Sequence, residues 1–98
     1  MLSPQFPNKL ERGVAITIVK PTDARNMLVE LVRVKDDKEI AVARDVSSSE
    51  PIVMPIPAVG HKFALRYPAG SYDLKVQTWY PDGSPVWSMR FTAHYELE

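Results

Sequence analysis

The chain has 98 residues, 45% hydrophobic and 24% charged, with 12 basic and 12 acidic side chains and a formal net charge of zero. That length makes one domain with a real core, burying about 60–65% of its unfolded surface. Charge balance argues against a nucleic-acid binder, which draws its affinity from a basic excess, and the lack of cysteine excludes disulfides and thiolate metal sites.

Residues 1–7 offer neither a basic n-region nor an apolar h-region, so no secretory signal is read there. No run approaches the ~20 apolar residues of a membrane span. Residues 1–13 have no usable period and contain Pro4 and Pro7. They predict an extended N-terminal arm ahead of a domain over 14–98. Phe6 and Leu10 are its expected anchors, on that domain or on a neighbour.

Residues 14–19 predict a first strand, dominated by β-branched side chains and stopped by Pro21. In the second strand, 27–35, Val29 and Leu31 share one face while Val32 and Val34 share the other. A β-bulge near Leu31 and Val32 accounts for that switch. A solvated turn at 35–38 leads to a third strand over 39–46, with Ile40, Val42 and Val46 expected on one face. Residues 51–57 alternate Ile52, Met54 and Ile56 with three prolines, which places them at a sheet edge or between sheets.

Residues 61–97 read as three consecutive strands. Phe63, Leu65 and Tyr67 alternate with Lys62, Ala64 and Arg66, and Tyr72, Leu74, Val76 and Thr78 alternate with Asp73, Lys75 and Gln77. The last strand sets Trp87, Met89, Phe91, Ala93, Tyr95 and Leu97 against polar neighbours. A four-residue loop at 81–84, carrying Pro-Asp-Gly, pairs Thr78 with Trp87, Val76 with Met89, Leu74 with Phe91 and Tyr72 with Ala93. It also sets Lys75 against Arg90. The inner face of this meander, Phe63 and Leu65 included, is expected to be core. Seven or so short strands with frequent turn signals predict an all-β, antiparallel two-sheet β-sandwich.

The run Pro68-Ala-Gly-Ser-Tyr72-Asp-Leu74-Lys-Val76 resembles the proline-x-glycine-x-tyrosine-x-leucine-x-valine stretch of immunoglobulin-like, fibronectin-III-like and transthyretin-like sandwiches. In those domains the tyrosine forms a corner by bonding backbone upstream, and Tyr72 matches that position. The core tryptophan and cysteine pair of antibody domains are missing, and the likeness implies architecture, not activity.

No residues assemble a catalytic signature, and no cofactor is expected. His61 and His94 lack metal-ligand spacing. Ser47, Ser48 and Ser49 lack a nucleophile elbow, and Asp36, Asp37 and Asp82 are turn residues without calcium-loop spacing. Trp79 falls by parity on the outer face of its strand, flanked by Tyr80 and Val86. Exposed aromatics of this kind mark interface hot spots and sugar-stacking platforms.

Phe6, Leu10, Trp79, Tyr80 and Val86 are therefore the expected partner-binding residues. Read as a complete small chain, the protein resembles in class the capsid-decoration and tail or neck proteins of tailed bacteriophages. That likeness implies a non-enzymatic structural protein of the virion, assembled in the host cytoplasm. Its partners would be neighbouring subunits or further copies of itself, without nucleic acid or membrane. The alternative is a carbohydrate-binding or adhesion module, with Trp79, Tyr80 and Trp87 as its candidate stacking surface.

Overall fold

The computed structural model describes residues 4–45, 50–81 and 87–98. Among them lie six strands: β1 (Ile16–Ile18), β2 (Asn26–Arg33), β3 (Lys38–Asp45), β4 (Ile52–Met54), β5 (Gly70–Tyr80) and β6 (Trp87–Leu97). The protein is all-β. One antiparallel sheet has the order β3-β2-β5-β6, and a second pairs β1 with β4.

Period-two alternation decides which side chains fill the space between the sheets. Met27, Val29 and Leu31 of β2 pair with Thr78, Val76 and Leu74 of β5, all at most 1% exposed. Ile16 and Ile18 of β1 and Ile52 and Met54 of β4 close the core from the other sheet. Prolines 51, 55 and 57 bracket β4, which is three residues long. That is the edge segment read from the sequence, and its alternate residues Ile52, Met54 and Ile56 are buried.

Of the two expected partners for the N-terminal arm, the domain itself takes it. Leu10 is buried in the core and Phe6 packs against it. The Tyr95 hydroxyl donates to the Pro7 carbonyl (2.6 Å), the Gly13 amide to the Ile56 carbonyl (2.8 Å), and Arg12 Nε to the Glu98 carbonyl (2.7 Å).

The bulge is present at Leu31/Val32, but the extra residue belongs to the partner strand. Leu31 faces Ala41 and Val32 faces Glu39, so Ile40 is left unpaired in β3. Pairing of β2 with β5 runs unbroken. Val32 thus stays on the outer face, where it is buried. The expected face of β3 is corrected accordingly: Ala41 and Ala43, with Ile40, pack on the core, and Val42 is exposed. Val46 lies outside the described residues.

Two further expectations are corrected. The β5–β6 ladder pairs Thr78 with Met89, Val76 with Phe91, Leu74 with Ala93 and Tyr72 with Tyr95. It is displaced by two residues, and Lys75 faces Thr92 instead of Arg90. A shift of two keeps every side chain on its face, so the inner row is unchanged. Residues 61–67 are not a strand. Both sides of β5 are occupied, by β2 and β6, so the segment cannot pair with the strand that follows it. It folds instead as a single 3-10 turn, Ala64–Arg66, in successive i+3 bonds: Ala64 to His61, Arg66 to Phe63 and Tyr67 to Ala64. Phe63 and Leu65 are exposed, not core.

Candidate functional site

Between Glu50 and Asp73 the chain carries no acidic residue, while Lys62 and Arg66 stand there beside His61. This stretch forms the crossing from β4 to β5. Gly60, with φ +85, takes the positive dihedral that turns it, and the His61 amide closes the turn onto the Ala58 carbonyl (3.1 Å). The 3-10 turn then lifts Leu65 to the surface.

The resulting surface is apolar with a basic rim. Leu65 is 92% exposed, Val59 85% and Phe63 44%. Val59, Ala64, Leu65 and Pro68 line one shallow depression with Gly60 and Arg12. Lys62 Nζ and Arg66 Cζ each lie 5.1 Å from the centroid of the Phe63 ring, at cation–π range. The His61 ring is 5.5 Å away, and its Nδ1 accepts from the Phe63 amide (3.1 Å).

This loop is held at both ends. The Ile56 carbonyl accepts from the arm, and the buried Tyr72 hydroxyl donates to the Pro68 carbonyl at 2.6 Å. With the loop fastened at both ends, Leu65 stands exposed between the two bonds. Single surface hydrophobes are ordinary; several exposed on one short loop are the feature that contact surfaces share. Sequence reasoning missed this group by assigning Phe63 and Leu65 to a strand. The long acid-free interval was the signal that could have found it.

The residues singled out from the sequence lie elsewhere. Tyr80 is buried at 1% exposure, its hydroxyl accepting from Thr78 Oγ1 (3.1 Å). Trp79 is half-buried on the outer face, paired with Asn26 of β2 and Ser88 of β6. Leu10 is buried and Phe6 partly so. Val86, the rest of 82–86, and Ser47, Ser48 and Ser49 lie outside the described residues. Of the described four, Leu10 and Tyr80 are buried and present no surface to a partner.

The outer face also carries a polar cluster. Cross-strand pairing sets His94 opposite Asp73 and Glu96 opposite Ser71. His94 Nδ1 lies 2.8 Å from Asp73 Oδ1 and its Nε2 lies 3.2 Å from Glu96 Oε1, which also accepts from Ser71 Oγ. The Asp73 contact, then that of Glu96, pushes the His94 imidazole up from its ordinary value. Glu96 is held below the usual carboxylate range by Ser71 first and His94 second. The cluster is a solvent-exposed imidazole between two carboxylates, with a hydroxyl attached. Among the described residues, no group of three or more His, Cys, Asp or Glu could hold a metal ion.

No protein-family model, curated protein or solved structure matches this chain. What it does must be read from its own surfaces.

Proposed function

We propose that this is a non-enzymatic interaction domain that docks on a protein neighbour within an assembly through the 58–68 loop. The observation that carries the reading is Leu65, 92% exposed at the apex of a loop fastened by the Tyr72–Pro68 bond. Removing a leucine side chain from water is worth roughly 1.5–3 kcal/mol, and the loop is preorganised, so little ordering cost opposes contact. The basic rim of Lys62 and Arg66 suits a partner with an apolar pocket edged by carboxylates.

An immunoglobulin-like architecture fits this reading. The order β3-β2-β5-β6 against β1-β4 and a tyrosine at the start of β5 bonding backbone four residues upstream both support it. The class likeness to small decoration, tail or neck proteins of tailed bacteriophages provides the setting: a domain whose work is contact. Relative to that likeness, the contact moves from the arm, which its own domain engages, to the loop.

The test is co-sedimentation. Tagged wild type, expressed in the cells it comes from, should travel with large particles, while Leu65→Asp combined with Val59→Asp should remain in the supernatant with an unchanged melting temperature. Wild type that never enters the particle fraction would overturn the reading, as would a double variant that sediments as well as wild type.

A further inference from the structure

A sheet edge is a row of unpaired backbone donors and acceptors, and proteins blunt such edges with prolines, bulges or brevity. Three edges here are blunted. Strand β4 is bracketed by prolines, β3 is broken by the Ile40 bulge, and β1 is three residues long. Strand β6 is different. It runs eleven residues without proline, its register with β5 is unbroken, and β5 is its only partner among the described residues.

Two more observations concern this edge. Met89, Phe91 and Ala93, on the inner row of β6, are only partly covered, because the facing sheet is two strands wide. The N-terminal arm passes beside the far end of β6 through Tyr95–Pro7 and Arg12–Glu98 bonds. However, no backbone bond joins the arm to β6 among the described residues, and a groove opens between 9–12 and 96–98. Among the described residues, the ladder on that side has no backbone partner.

We propose that β6 pairs antiparallel with β6 of a second copy, about a two-fold axis at Ala93. The occupant follows from charge. In this register Arg90 faces Glu96 of the second copy, and the two-fold makes that pair twice. On the inner row Phe91 meets Tyr95 and Met89 meets Leu97. The axes at 90, 91 and 92, which also keep the faces matched, give Arg90 no carboxylate. An axis at residue 90 sets Arg90 against itself, and one at 91 pairs it with Thr92. At 92 Arg90 meets His94; at 94 it meets the terminal Glu98, but there His94 meets itself. A formal charge of zero leaves little net repulsion between copies. The 58–68 loop takes no part, so this proposal and the docking reading can fail separately.

The experiment is a charge-swap cycle on the full chain, read by sedimentation velocity from micromolar to millimolar protein. Wild type should show a concentration-dependent dimer. Arg90→Glu and Glu96→Arg should each weaken it at least about tenfold, and the double variant should restore it. Each variant's melting curve reports whether it folds. Wild type that stays monomeric throughout overturns the proposal, as does a dimer that ignores the single swaps or is not restored by the double. Amide exchange on wild type gives a reading independent of the variants. The β6 amides that point away from β5 should be protected at high concentration and exchange on dilution; protection unchanged by dilution would rule the pairing out.

Discussion

The Tyr72 hydroxyl donates a 2.6 Å hydrogen bond to the Pro68 carbonyl, four residues upstream. One end of that bond is a fully buried ring of the core and the other is the base of the exposed loop. It is therefore the joint between what holds the fold and what the fold displays. Tyr72→Phe keeps the ring and deletes the bond. Stability should fall by about 1–2 kcal/mol, the cost of a lost bond plus a stranded carbonyl. In urea unfolding, the midpoint should move with an unchanged slope. Amide exchange should quicken at Ala64, Arg66 and Tyr67, whose bonds make the 3-10 turn. Equal protection in both proteins would mean that the corner does not hold the loop.

Leu74 and Leu65 sit nine positions apart, one in β5 and one in the 3-10 turn before it, and should respond oppositely to truncation. Leu74 is fully buried and paired with Leu31 and Ala93, so Leu74→Ala should cost about 2–5 kcal/mol through lost transfer energy and a cavity. Leu65 leaves no cavity when truncated, and Leu65→Ala should stay within about 0.5 kcal/mol of wild type. Side-by-side urea melts decide this. A large loss at Leu65 would show that the loop packs on the domain after all.

Those two leucines also mark what the sequence could and could not disclose. Parity placed Tyr72, Leu74 and Val76 inside, because a strand between two others has one buried face. The same parity misplaced Phe63 and Leu65, since alternation does not reveal whether a sheet edge is free to receive the segment. The β5–β6 register escaped for a related reason: a displacement of two residues leaves every face unchanged, so no hydrophobic pattern can detect it. The bulge was legible from Val29, Leu31, Val32 and Val34, but its location on β3 was not. Which strand carries an extra residue depends on the partner, and Ile40 reads as an ordinary strand residue.

The turn between β2 and β3 holds a strained residue. Asp37 is the one described non-glycine residue with positive φ, at 53°. A left-handed conformation costs a β-carbon-bearing residue about 1–2 kcal/mol. Glycine relieves this but loses about 0.5–1 kcal/mol more chain entropy on folding. Asp37→Gly should accordingly stabilise the domain by roughly 0.5 kcal/mol net, visible as a higher urea midpoint. Asp36 must remain, since it bonds Arg33 through both carboxylate oxygens and is held down to about 2 by that contact. A lower midpoint for Asp37→Gly would show that the aspartate side chain contributes more than its backbone costs.

The His94 cluster gives the fold a pH dependence whose direction can be worked out. The folded imidazole titrates above its ordinary value because Asp73, and then Glu96, face its two nitrogens. A raised folded value stabilises the protonated state, so the contribution is complete below the unfolded value near 6.5 and fades as pH rises through the folded value. Glu96 is shifted the other way, down from 4.5 by Ser71 and His94. Its contribution is complete above that unfolded value and is lost as pH falls through the folded one. The two together predict a plateau between about pH 4.5 and 6.5, a decline on the alkaline side from His94 and one on the acid side from Glu96. Because the groups are solvent-exposed, the amplitude should be small and should shrink further with added salt. NMR titration should find the His94 midpoint lower in Asp73→Asn than in wild type, and the alkaline decline should flatten in His94→Gln. A midpoint indifferent to Asp73→Asn would mean that the 2.8 Å contact does not govern the proton on His94.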